Sequence, residues 1–231
     1  MQTDTTLPFN NEVLLIDKPL NWTSFDVVNK IRYAGKFKKV GHAGTLDPLA
    51  TGLLILCTGI KTKSIDTYQG QDKEYTGFFE IGKTTPSFDL ETEVDGIFPI
   101  GHIDQEKLEE ARLKFLGKIS QIPPTFSAIK VNGKRAYQSA REGKEIELKA
   151  RDVMIKEFEI FSDNFPSVGF RIVCSKGTYI RSLARDFGLA LGSGGYLSQL
   201  RRTKIGDFSV ENALSVNDMV ELIKKHHENL P

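Results

Sequence analysis

The sequence is poor in cysteine, long apolar runs and net charge, and each shortage excludes a class of protein. Two cysteines, Cys57 and Cys174, occur in 231 residues, too few for a disulfide scaffold or a zinc site. Each lies inside an apolar, strand-like run and reads as a buried thiol of a reducing cytoplasm. The longest apolar run, around Leu53 to Cys57, is far short of the roughly 20 residues of a membrane span. The opening Met1-Gln2-Thr3-Asp4-Thr5-Thr6 has neither the basic nor the apolar region of a signal peptide. Gly-x-x-x-x-Gly-Lys-Ser/Thr, His-Glu-x-x-His and Cys-x-x-Cys are all missing, so phosphate-loop, zincin and dithiol chemistry have no motif here. Of four histidines, His226 and His227 read as part of a polar tail and His102 follows a turn, which leaves no metal triad. Neither a metal nor a cofactor is expected.

What is present suits one large folded domain. Fifteen Phe and 39% hydrophobic residues supply a core and exclude disorder, and no glycine period suggests collagen. The formal net charge is +1, but the charge is unevenly placed. Lys30, Arg32, Lys36, Lys38 and Lys39 follow one another without an acid. Arg171, Lys176, Arg181, Arg185, Arg201, Arg202 and Lys204 face only Asp186, whereas Asp89 to Glu110 is acidic. Screening acts over about 8 Å at physiological salt, so a polyanion feels such local patches. Basic stretches interleaved with Phe37, Tyr179 and Phe187 suit nucleic acid; solvated surface is the plainer alternative.

Periodicity predicts a strand over Val13–Ile16 ended by Pro19, then a helix capped by Thr23 or Ser24 with Phe25, Val28 and Ile31 on its apolar face. Gly41 to Pro48 reads as a loop, Leu53 to Cys57 as a fully apolar strand, and Tyr75 to Ile81 as an alternating one. Asp104 caps a helix carrying Leu108, Ala111 and Phe115. Val168, Phe170, Ile172 and Cys174 alternate before a helix over about Tyr179–Leu191, and Ser215 with Asp218 forms a capping box for a last helix. Irregularly interspersed strands and helices predict an α/β mixed (α+β) fold and argue against a doubly wound sheet. No linker divides the chain. The stretch from Gln121 to Lys149 reads as an insertion with turns at Pro123-Pro124 and Asn132-Gly133.

Chemistry concentrates in Gly41-His42-Ala43-Gly44-Thr45-Leu46-Asp47-Pro48-Leu49-Ala50-Thr51-Gly52. There a carboxylate stands on a Gly-rich loop, stiffened by Pro48 and continued by a buried strand. Asp47 as a simple turn cap is the structural alternative. In Gly177-Thr178-Tyr179-Ile180-Arg181, an arginine at a helix start, where the dipole disfavours a cation, calls for a carboxylate or phosphate partner, with a plain surface salt bridge as the alternative.

These motifs together resemble the TruB family of tRNA pseudouridine-55 synthases. The likeness rests on Asp17-Lys18-Pro19 with Thr23-Ser24, the loop Gly41 to Gly52, and Lys73-Glu74-Tyr75. It extends through Gln121-Ile122-Pro123-Pro124 with Ser127 to Lys130, Gly133 and Tyr137, then Gly177 to Arg181 and Leu200-Arg201-Arg202-Thr203. It implies a pseudouridine synthase fold, with a central mixed, largely antiparallel sheet, flanking helices and an RNA-binding cleft. One catalytic domain over 1–231 is implied, with a thumb-like insertion at about 121–150 and without the PUA domain of many bacterial relatives. Asn21 replaces the family's usual glycine, a change that the left-handed tolerance of Asn accommodates.

The resemblance also implies roles. Asp47, Arg181 and Tyr75 are catalytic, with Asp47 ionised by an adjacent arginine. Lys18, His42, Tyr75, Tyr179 and Leu200 hold the target nucleotide, and Lys130, Arg141, Lys176, Arg201 and Arg202 hold RNA. The expected partner is the T stem-loop of tRNA, handled in the cytoplasm by a monomer with neither membrane nor obligate protein partner. Two rival readings stay open at this point: a non-catalytic RNA-binding or chaperone module, and a pseudouridine synthase acting on another RNA.

Overall fold

The most apolar strand of the chain is covered on both faces, which explains why it lacks alternation. In the computed structural model, which describes residues 9–127, 130–131, 134–135 and 148–228, this strand is Ala50–Thr58. Leu54 and Leu56 enter one core cluster, while Leu53, Ile55 and Cys57 enter another. The elements run β1 (Val13–Lys18), α1 (Ser24–Ala34), β2 (Val40–His42), β3 (Ala50–Thr58), α2 (Ile65–Gly70), β4 (Lys73–Ile81), β5 (Lys83–Thr84) and β6 (Gly96–Ile97). They continue with α3 (Gln105–Leu113), β7 (Gly117–Gln121), β8 (Lys130–Val131), β9 (Lys134–Arg135), β10 (Arg151–Asn164), β11 (Ser167–Cys174) and α4 (Ile180–Ala190). Last come β12 (Gly195–Ile205), β13 (Phe208–Ser209), β14 (Leu214–Ser215) and α5 (Val216–Glu228).

These elements form two compact units, Met1–Tyr75 with Leu200–Pro231, and Thr76–Gln199. The division falls inside strands β4 and β12, where no change of composition marks it. In the first unit the strand order is β14-β1-β3-β12, with β2 also on β3 and β13 on β12. The β1–β3, β2–β3 and β12–β13 pairs are antiparallel; β1–β14 and β12–β3 are parallel. Helices α1 and α5 bury Val27, Val28, Ile31, Met219, Val220 and Ile223 against Leu14, Ile16, Leu54 and Leu56.

In the second unit the order is β4-β11-β10-β7, and β10 pairs antiparallel with both β11 and β7. Its core is aromatic. Phe79 stacks on Phe170 with centroids 4.3 Å apart, and Phe187 of α4 packs on Phe79 and Phe158 at 5.7 and 5.8 Å. Offset and tilted geometries of this kind add to what burial alone gives. The sheet is therefore mixed with antiparallel pairs in the majority, as expected. No helix among the described residues is long and apolar enough to cross a membrane.

Local chemistry sets the helix starts. The Thr23 hydroxyl accepts from the Asp26 amide at 3.0 Å, and the Asp26 carboxylate accepts from the Thr23 amide at 2.9 Å, a reciprocal capping box. Ser215 and Asp218 cap α5 at 3.1 Å, and Asp104 caps α3 at 2.9 Å.

Three local expectations need correction. The buried positions of α1 are Ser24, Val27, Val28 and Ile31; this i, i+3, i+4, i+7 stripe leaves Phe25 65% exposed, a full 100° off its axis. Phe115 lies past the end of α3 and meets Phe187 at 6.2 Å from there. His226 and His227 belong to the last turn of α5 rather than to a tail.

Both cysteines are buried free thiols. In the presumed insertion, β8 and β9 pair antiparallel, Lys130 with Arg135 and Val131 with Lys134. The Asn132-Gly133 turn itself lies outside the described residues, as do 128–129 and 136–147.

Replacing Thr23 by Ala removes the cap and should lower stability by about 1 kcal/mol. Urea unfolding measures this, and Thr23→Asp should recover most of the loss.

Candidate active site

In the first unit a single loop carries the candidate carboxylate. Strand β2 pairs with β3 up to His42–Leu56, so Gly41 and His42 are strand residues and the loop proper starts at Ala43. It rejoins β3 through a turn in which the Ala50 amide donates to the Asp47 carbonyl at 3.0 Å. Leu46 is buried and Asp47 half-buried, while Thr45 and Pro48 are exposed. The carboxylate therefore stands on a loop whose two ends are fixed by strand pairing and a turn.

Three neighbouring elements hold the loop by its backbone. The Ser24 hydroxyl donates to the Leu46 carbonyl at 3.1 Å and accepts from the Leu46 amide at 2.9 Å. The Asn21 amide donates to the Pro48 carbonyl at 2.9 Å. Asn21 has φ of 64°, the left-handed conformation that Asn in a glycine position must adopt. Arg202 of β12 donates from Nε to the Leu53 carbonyl at 2.8 Å and from its guanidinium to the Gly44 carbonyl at 3.1 Å.

Cross-strand register explains why these side chains meet. Lys18 of β1 pairs with Gly52 of β3, which pairs with Arg202 of β12. Gly52 has φ of 103°, and a Cβ there would lie 2.2 Å from the Arg202 carbonyl oxygen, so only glycine fits. One residue earlier the pleat points the other way. Arg201 reaches Asp17 with two bonds, at 3.0 and 2.7 Å.

Lys18 is 0% exposed, and its ammonium donates to the carbonyls of Pro19, Trp22 and Pro48 at 2.9, 2.6 and 3.4 Å. Burial pushes its pKa down to about 8; the Asp47 charge opposes this and the Arg202 charge adds to it. Lys18 thus braces the loop from beneath. Arg202 is likewise 1% exposed and spends its donors on backbone carbonyls. His42 is half-buried; burial and the nearby Arg202 charge lower its pKa, so the ring is neutral at pH 7. Leu200, half-buried, is in register with Ala50, and Tyr75 is buried in β4.

The second unit orders another group of expected residues around the start of α4. Arg181 is 4% exposed. Its guanidinium donates to the carbonyls of Ser87 and Phe126 at 3.3 and 2.8 Å, and its Nε faces Asp89 at 3.5 Å. The carboxylate that an arginine at a helix start requires is therefore supplied within this unit by Asp89.

Tyr179 precedes α4. Its amide donates to the Gln121 side chain at 2.8 Å, and Gln121 donates back to its carbonyl at 3.1 Å. Its ring lies 4.6 Å from the Arg151 guanidinium. Lys176 is exposed. The Lys130 side chain and Arg141 lie outside the described residues. In the sequence Ser24 stood only as a candidate helix cap, and Asp89 and Gln121 had no individual role. Ser24 and Gln121 sat inside recognised motifs, whereas Asp89 was visible only as one acid among several.

Comparison with known proteins identifies the family. The model of the TruB family pseudouridylate synthase N terminal domain matches residues 32–180, and that of the tRNA pseudouridylate synthase B C-terminal domain matches 181–230. The chain belongs to the TruB family.

It is 56% identical over 216 residues to tRNA pseudouridine synthase B of Phocaeicola vulgatus, covering 91% of this chain and 92% of that one. It is 58% identical over 212 residues to the protein of the same name from Flavobacterium johnsoniae, covering 89% and 93%. Among solved structures, a Cbf5–Nop10–Gar1 complex matches with a TM-score of 0.72 at 28% identity. An H/ACA ribonucleoprotein bound to a substrate RNA matches with 0.70 at 27%. These matches cover 92% and 94% of this chain but only 54% and 55% of those chains, so it spans about half their length.

Two outcomes follow from this geometry. Because Lys18 binds its proton less tightly folded than unfolded, wild-type stability should rise as pH climbs from about 8 toward 10.5, the range where the unfolded chain holds more protons. Lys18→Met should lack that rise in pH-dependent urea titrations. Asp89→Asn leaves the Arg181 charge buried without its carboxylate and should cost about 3–5 kcal/mol, read by the same titration at neutral pH.

Proposed function

We propose that this chain converts uridine to pseudouridine at position 55 in the T loop of tRNA. The observation that carries the reading is the half-buried Asp47 on a loop whose backbone is held by Ser24, Lys18 and Arg202. The reaction breaks the bond from ribose C1′ to uracil N1, turns the base, and joins C1′ to C5. The C5 proton leaves and N1 gains one, so no electrons are exchanged and no group is transferred elsewhere. What the protein must supply is access to the ribose and a group that stabilises it while the base is detached.

Access means flipping the target base from its stack, at a cost of a few kcal/mol. Contacts from cationic side chains such as Lys176 and Arg201 to phosphates offset this. His42, neutral and half-buried, fills or braces the vacated stack. Tyr75, Tyr179 and Leu200 pack on the flipped nucleotide, and the rigid backbone tie between Gln121 and Tyr179 keeps the latter in place. The Asp47 carboxylate attacks the sugar or stabilises the detached-base intermediate, and Arg181, held by Asp89 at the start of α4, acts as a catalytic arginine. Metal and cofactor have no step to perform.

Curated relatives at 56% and 58% identity are matched over more than nine-tenths of their length, which favours a tRNA enzyme working in the cytoplasm without an obligate partner. The guided, multi-protein assemblies contain chains about twice as long, which weighs against the reading as a synthase of another RNA. The non-catalytic reading has no use for Asp47.

With tRNA tritiated at uridine C5, the wild-type chain should release tritium. Asp47→Asn should bind tRNA with wild-type affinity and release none; retained turnover removes Asp47 from the chemistry. Arg181→Lys, which loses the planar fork, should cut kcat at least tenfold.

A further inference from the structure

Between Asp26 and Asp66 the chain carries seven Lys and Arg and a single acid, Asp47, in a protein whose net charge is only +1. The fold gathers these cations on the first unit. Lys30 and Arg32 lie on α1, Lys36 and Lys39 on the turn that follows it, and Lys61 and Lys63 on the 3-10 turn after β3. The Gly59 amide donates to the Lys39 carbonyl at 2.9 Å, joining the two turns.

All six side chains are exposed, and none forms an ion pair among the described residues. Tyr33, 79% exposed, stands among them. Helix α1 leaves from Ser24, which is bonded to Leu46 beside the catalytic aspartate. Its 11 residues span about 16 Å. The cations at its far end are therefore too distant to touch the reacting nucleotide.

We infer that this face is a second RNA-binding surface, taking the phosphate backbone of the tRNA outside the reacting nucleotide, with Tyr33 available to stack on a base or ribose. The inference rests on the proposed tRNA substrate. Its physical basis is charge complementarity. Unpaired, solvated cations at this density lose little on meeting phosphates and release the counterions that the phosphates hold. The neutral, exposed aromatic adds a stacking platform that tolerates any sequence.

The test is Lys36→Glu/Lys61→Glu against the charge-matched control Lys224→Glu/Lys225→Glu on α5, whose lysines are also exposed. Melting curves and a milder Lys36→Ala/Lys61→Ala variant guard against misfolding. Each is measured for affinity to unmodified tRNA across a KCl series and for steady-state tritium release.

The patch variant should raise Kd and KM about tenfold and reduce the slope of log K against log salt by about 1.5. Its kcat should stay within twofold of wild type, and the control should match wild type. A wild-type slope and KM in the patch variant, or an equal loss in the control, overturns the inference. So does a fall in kcat alone. A wild-type chain that binds tRNA through this patch yet makes no pseudouridine supports the surface and contradicts the proposed reaction, so the two failures are distinguishable.

Discussion

The first unit depends on backbone carbonyls being taken up by buried cations. A seven-residue loop between two strands leaves carbonyls that no ladder can satisfy, and an unsatisfied buried acceptor costs about 1–3 kcal/mol. Within the loop Arg202 takes the Gly44 carbonyl and Lys18 that of Pro48, while outside it Arg202 also takes that of Leu53 and Lys18 those of Pro19 and Trp22. The charges are tolerable because several oriented dipoles surround them and the Asp47 charge lies near Lys18. The same bonds that take up the loop's carbonyls restrain its backbone, and a positioned carboxylate is what a reaction at a ribose needs.

Glycine makes the arrangement possible. The buried row Lys18, Gly52, Arg202 runs across β1, β3 and β12. Because Gly52 has no side chain, the β12 backbone comes close enough for Arg202 to reach under the loop. The neighbouring Asp17 and Arg201 point to the opposite face and pair with each other. Adjacent residues in one strand therefore divide the work: Arg202 and Lys18 build the loop, while Arg201 keeps a partly exposed position.

Much of this was legible in the residues, and the limits have physical causes. Strand β3, the helix caps at Thr23 and Ser215, and the left-handed Asn21 follow from local rules: apolar runs, side-chain capping and side-chain size. The Asp47 loop was legible because glycine, proline and an acid coincide there. The roles of Lys18 and Arg202 were not, since a cation in a sequence looks the same whether it faces phosphate or a buried carbonyl. Only strand register, which depends on residues distant in the chain, decides that. Asp89 was hidden for the same reason: nothing local distinguishes it from Glu91 or Glu93 until the fold places Arg181 beside it. The error at Phe25 came from choosing the largest apolar residues rather than the stripe that fits 3.6 residues per turn.

The central claim is that the held loop brings Asp47 to the ribose of the target nucleotide. The most direct measurement is a crystal structure of the chain with a T-arm RNA whose target uridine carries fluorine in place of hydrogen at C5, so that C5 has no proton to lose and the reaction stalls. The account predicts an Asp47 carboxylate oxygen within about 3 Å of the target sugar or bonded to the stalled nucleotide, with the Gly44 and Pro48 carbonyls still held by Arg202 and Lys18. A target nucleotide seated away from Asp47, or a loop released from both cations on binding, would contradict it.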